Sequence, residues 1–91
     1  MIESFVHRGL KEVFETGRSA RVTVSLIARI IRRLDALEAA QDLRSLNQPG
    51  FNFHMLNGQP RRYSIHVNGP WCITFEWENN NAKRVDLEQY H

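Results

Sequence analysis

Tyr90 and His91 stand side by side at the end of the sequence, a phenol next to an imidazole at a place where packing makes few demands on residue type. Further back lie His54, His66 and Cys72, and the pair Arg61-Arg62 adds two guanidinium groups. Such a set suits proton transfer beside a phosphate. RNA is cut without a metal when a base takes the proton of a 2′-hydroxyl, an acid protonates the leaving 5′-oxygen and cations stabilise the phosphorane-like transition state. Each residue also has a plainer reading. His54 and His66 suit a solvated strand surface, Tyr90 a half-buried aromatic with a polar tip, and Arg61-Arg62 a solvated loop. With His54 or His91, the His66 and Cys72 side chains would supply enough ligands for zinc, but their spacing matches no metal motif. No metal site is expected. A nucleophilic Cys72-histidine pair lacks a third group to orient it, so a small inert thiol is the reading for Cys72.

The elements that must position these groups are legible from periodicity. Tyr63, Ile65 and Val67 alternate with polar residues, as do Trp71, Ile73, Phe75 and Trp77, and a Gly69-Pro70 turn joins the two runs. Strand side chains repeat with period two, so these apolar residues share one face and His66 and Cys72 the other. A shorter alternation of Phe51, Phe53 and Met55 with Asn52 and His54 precedes the turn dipeptide Asn57-Gly58. A fourth strand is expected over Lys83 to Leu87, after a polar turn at 78–81. Ahead of the sheet, residues 1–5 suit a short opening strand, and Leu10, Val13 and Phe14 a short helix stopped by Gly17. A longer helix runs from about Val24, capped by Thr23, to about Asp42. Ile27, Ile30, Ile31, Leu34 and Leu37 form its core stripe, and Arg29, Arg32 and Arg33 fall opposite, on a face that suits either solvent or the sequence-independent backbone of RNA. The order predicts an α+β fold, with the opening strand and two helices packed on one face of a curved antiparallel sheet. The other face, carrying His54, His66 and Cys72, is left open.

Ninety-one residues suffice for one domain, 1–91, with a modest core, so any activity uses side chains on a single surface. The formal charge of +2 understates the basic character, because ten of the twelve cations are Arg, which pairs bidentately with phosphate. One cysteine rules out an intrachain disulfide and suits a reducing cytoplasm. No apolar run approaches the roughly 20 residues of a membrane span, and no basic leader precedes a greasy stretch. Neither a membrane nor a small-molecule cofactor is expected.

The segments Met1-Ile2-Glu3-Ser4-Phe5, His7-Arg8-Gly9-Leu10, Leu56-Asn57-Gly58, Ser64-Ile65, Val67-Asn68, Trp71, Ile73-Thr74-Phe75 and Tyr90-His91 stand in the order and spacing of one family. On them the chain resembles the HigB "killer protein" toxins of the RelE/ParE superfamily. The resemblance implies a RelE-like fold and a toxin of a type II toxin-antitoxin pair: a metal-independent, ribosome-dependent endoribonuclease that cuts mRNA in the A site. It also implies a cognate helix-turn-helix, HigA-like antitoxin as partner. Carried over residue by residue, it gives catalytic roles to His54, Tyr90 and His91 and an RNA-binding role to Arg61 and Arg62.

Three positions depart from the family pattern. His66 stands where Arg usually precedes the Val67-Asn68 pair, Cys72 where Arg follows Trp71, and Gln89 where Asp precedes the closing Tyr-His. His66 still offers a proton or a positive charge. These departures leave open an attenuated toxin, or a non-catalytic module of the same fold that binds an antitoxin, the ribosome or a topoisomerase. A stand-alone RNA-binding protein is a third reading.

Overall fold

The computed structural model describes residues 1–90. Its elements follow the hydrophobic periods. Helix α1 spans Arg8–Thr16 and α2 spans Val24–Ala39, followed by one 3-10 turn, Leu43–Leu46. Strands β1 (His54–Leu56), β2 (Arg62–Asn68), β3 (Trp71–Glu78) and β4 (Asn81–Gln89) form one antiparallel sheet in that order. The two helices bury their apolar sides against a single face of it. Leu10 and Val13 of α1, Ile30, Leu34 and Leu37 of α2, and Ile65, Ile73, Phe75 and Val85 of the sheet make a continuous core.

Local chemistry sets the ends of these elements. His7 caps α1, its Nδ1 accepting the Leu10 N–H at 3.2 Å. Gly17, at φ 83°, ends the helix in the left-handed conformation and donates its N–H to the Val13 carbonyl. The β3–β4 turn places Asn79 and Asn80 at φ 54° and 63°, the paired positive angles that let a two-residue hairpin follow the twist of its strands.

Four expectations need correction. The residues before α1 form no continuous strand: Ile2 and Phe5 make isolated parallel bridges to Ala82 and Val85 of β4. Between those bridges Arg84 sits at φ 53°, and the β3–β4 register shifts between Thr74 and Glu76, so β4 is bulged where a regular partner would have to pair. Helix α2 stops at Ala39, three residues early, because the Asp42 carboxylate caps the 3-10 turn by accepting the Ser45 N–H. Thr23 does occupy the N-cap position of α2, but its side chain makes no capping hydrogen bond. The alternation over 51–55 is broken by Gly50 at φ 86° and Asn52 at φ 44°. Phe51 is therefore buried in the core while Met55 is 53% exposed.

Candidate active site on the open face of the sheet

Period-two alternation and register together decide which polar groups meet. His54 of β1 lies opposite Ser64 of β2, Ser64 opposite Thr74 of β3, and Thr74 opposite Asp86 of β4. The neighbouring row is His66, Cys72 and Glu88. All of these lie on the side of the sheet away from the helices. Asn52, His54, His66, Gly69, Pro70, Cys72 and Tyr90 line an open pocket of about 820 Å³ there.

Both pocket imidazoles are oriented by backbone carbonyls, which fixes their neutral tautomers. His54 Nδ1 lies 2.9 Å from the Asn52 carbonyl oxygen. A carbonyl only accepts, so Nδ1 carries the proton and Nε2 keeps a lone pair, the arrangement a general base needs. His66 is the reverse case. Its Nε2 lies 2.9 Å from the Gly69 carbonyl, which leaves Nδ1 as the available acceptor.

Tyr90 is held at both ends. Its N–H donates to the Pro70 carbonyl at 2.7 Å, and its hydroxyl accepts from Arg62 Nη2 at 2.8 Å. Arg62 Nη1 in turn donates to Glu88 Oε1 at 2.5 Å, and the same oxygen accepts from Thr74 Oγ1 at 2.5 Å. Burial opposes ionisation of Glu88, but the hydrogen bonds from Thr74 and Arg62 and the charge of Arg62 outweigh it and hold the carboxyl below its usual range. The hydrogen bond to Glu88 likewise raises Arg62 above the usual guanidinium value, against a smaller opposing effect of burial. Because the phenol oxygen accepts the Arg62 N–H, its own hydrogen is free to be given elsewhere.

The structure brings His54, His66, Cys72 and Tyr90 to one pocket. Arg62 contacts Tyr90 but is not among the pocket-lining residues. Arg61 is exposed just before β2, and Gln89 is exposed with its side chain absent from the lining. Cys72 is buried, its thiol free. His91 lies outside the described residues. Among the described residues no group of three or more His, Cys, Asp or Glu side chains is placed to hold a metal ion.

Arg29 and Arg32 are exposed on α2 as expected. Arg33 is not: it is only 6% exposed and lies on the buried side of α2, contrary to the expected solvent face. Its Nε donates to the His66 carbonyl at 2.7 Å, its Nη1 to the Arg29 carbonyl at 3.2 Å and its Nη2 to the Gly50 carbonyl at 3.4 Å. The guanidinium also covers the Phe51 ring, 4.7 Å from its centroid. Burial, and then the nearby charges of Arg32 and Arg29, lower its pKa.

Thr74 and Glu88 escaped the reading of the sequence. The signal for them lies in the spacing, since Thr74 is two positions from Cys72 along β3, and Glu88 of β4 is two positions before Tyr90. What the sequence did not supply was the register that sets β3 beside β4.

An open antiparallel sheet backed by two helices, with imidazoles and a tyrosine gathered on one face, is consistent with a RelE-like α+β fold. Residues 3–91 match the model of the HigB-like toxins, described as RelE-like toxins of type II toxin-antitoxin systems, and the chain belongs to that family. It is 39% identical over 92 residues to the endoribonuclease HigB of Proteus vulgaris, covering all of both chains. An uncharacterised protein of Haemophilus influenzae is 28% identical over 74 residues, 78% of this chain and 72% of the relative. Membership in a type II family implies an antitoxin partner. Among the described residues no helix is long and apolar enough to cross a membrane.

Proposed function

We propose that the chain is a metal-independent mRNA endonuclease that works in the ribosomal A site and is silenced by a helix-turn-helix, HigA-like antitoxin. The observation that carries this reading is the meeting of His54 and Tyr90 in one pocket, each with the proton arrangement its task needs. The Proteus vulgaris relative, named an endoribonuclease, supports the same reaction class. In the proposed step His54 Nε2 takes the proton of the 2′-hydroxyl and the 2′-oxygen bonds to phosphorus. The bond from phosphorus to the 5′-oxygen breaks, and Tyr90 protonates that oxygen. The products are a 2′,3′-cyclic phosphate and a 5′-hydroxyl end. His66, whose Nδ1 accepts a proton and can pass it on only once it has gained one, and the terminal His91 are further proton carriers. Arg29, Arg32 and Arg61, all exposed, supply contacts to RNA backbone that carry no sequence information. A reducing cytoplasm, where ribosomes and message meet, is the compartment that fits.

A second reading, a module that binds without cutting, is favoured by one feature: no arginine lines the pocket among the described residues, and Cys72 and His66 occupy positions where the family pattern has Arg. One experiment separates the two. In a translating extract, primer extension on a defined message is expected to show A-site cuts with the full chain and none after deletion of Tyr90-His91. Cuts that survive the deletion contradict the proposed site, and antitoxin binding without any cutting favours the second reading.

A further inference from the structure

Arg62 meets the pocket only through Tyr90, and its bonds run along the sheet to other side chains. One terminal nitrogen is given to Glu88, with Thr74 Oγ1 3.4 Å away, and the other to the Tyr90 hydroxyl. Glu88 offsets its charge within the same cluster. An arginine neutralised and directed in this way is poorly disposed to grip a phosphate, but it is well placed to fix a phenol. A hydroxyl has one hydrogen and two lone pairs, so occupying a lone pair with an N–H donor restricts where the hydrogen can point. Without that donor the phenol would rotate about its C–O bond, and the Arg62 side chain would sample many rotamers.

We propose that Glu88 and Thr74 are positioning residues that lock Arg62 against Tyr90 and so aim the phenolic proton into the pocket. Arg62 thus serves the reaction through Tyr90 and not as a clamp on RNA. This deepens the nuclease reading and rests on it. The register supports the assignment: Thr74 and Glu88 belong to adjacent strands of the sheet, so the bracket is built on rigid elements and not on a loop. Thr74 is fully buried, and Arg62 and Glu88 are each about one third exposed or less, at 32% and 29% of their side chains.

The test compares wild type with Glu88→Ala, Glu88→Gln, Arg62→Ala and the Glu88→Ala/Arg62→Ala double variant. Single-turnover cutting is measured on programmed ribosomes, and affinity on the same ribosomes carrying a 2′-deoxynucleotide at the cut site. Glu88→Ala is expected to cut about 10- to 100-fold more slowly, the scale of a misplaced catalytic group, with affinity within about twofold. Glu88→Gln keeps an oxygen that accepts from Thr74 and Arg62, so it should restore most of the rate. The double variant should be no slower than Arg62→Ala, because the two residues act as one unit. Nitrogen-15 NMR adds a readout independent of cutting: slowly exchanging Arg62 guanidinium signals are expected in wild type and Glu88→Gln but not in Glu88→Ala. Losses that multiply in the double variant, Arg62 signals that persist in Glu88→Ala, or a weakened affinity that accounts for the slower cutting would overturn the proposal. A wild-type chain that leaves the message whole contradicts the nuclease reading instead, and the NMR comparison then decides the bracket alone.

Discussion

Arg33 joins the helical layer to the pocket. Its guanidinium reaches the carbonyls of His66 and Gly50 and covers Phe51, whose own carbonyl accepts the His66 N–H at 2.6 Å. The chain segment leading to His54 and the strand end carrying His66 are therefore tied to one side chain of α2. Replacing it with methionine keeps much of the volume but strips those carbonyls of a charged donor in a buried place. Arg33→Met should therefore lower the unfolding free energy by about 1–3 kcal/mol, read from the urea midpoint. An unchanged midpoint would show that the guanidinium is dispensable to the fold. This role was legible in part. Ile30, Arg33, Leu34 and Leu37 recur at the i, i+3, i+4, i+7 spacing of a buried stripe, and only the charge of the residue argued for the opposite face. His54, His66 and Tyr90 were readable as chemistry-bearing types, but the tautomers depend on the Asn52 and Gly69 carbonyls, which no pattern of residues reveals.

Helix α1 shows how close packing can override local preference. Gly9 is buried, and a methyl at its Cα would come within 2.7 Å of His7 Cε1, 2.9 Å of Val22 Cγ2 and 3.0 Å of Arg21 Cβ. Alanine is preferred over glycine inside a helix by about 1 kcal/mol, yet here the added methyl would meet atoms on two sides. Gly9→Ala should therefore destabilise the protein by about 1–3 kcal/mol, the usual range for overpacking, as measured by thermal unfolding. A raised melting temperature would mean that the segment holding Arg21 and Val22 yields freely. The same kind of contact explains which elements the sequence disclosed. The β2–β3 hairpin was clear because both strands turn apolar residues toward the helices and smaller or polar ones, Ser64, Cys72 and Thr74, to the other side, so alternation had to be written into them. Strand β1 was misread because it is short, lies at the sheet edge and follows two residues at positive φ, where a period-two pattern has no meaning. The opening segment was misread for the opposite reason. Its pairing depends on the bulge at Arg84, almost the whole chain away in sequence.

The molecule divides its labour between two faces of one sheet. The helix-covered face is dry and holds the fold. The other face carries His54, His66 and Tyr90, the polar groups that line the pocket. Fold class and family were both readable from the ordered motifs, since those motifs are mostly core and turn residues that the architecture requires. That His54, His66 and Cys72 share one side was readable from alternation, but the contacts among Arg62, Thr74, Glu88 and Tyr90 were not, because they follow from register. The proposed reaction on this face of the sheet turns on His54 as the base. The most direct measurement is the single-turnover cutting rate of ribosome-bound message by His54→Ala beside wild type, with both proteins matched for binding to the ribosome. A fall of about 10²- to 10⁴-fold at unchanged affinity is predicted, the range for loss of an acid-base group. A rate within a fewfold of wild type would rule out His54 as the base.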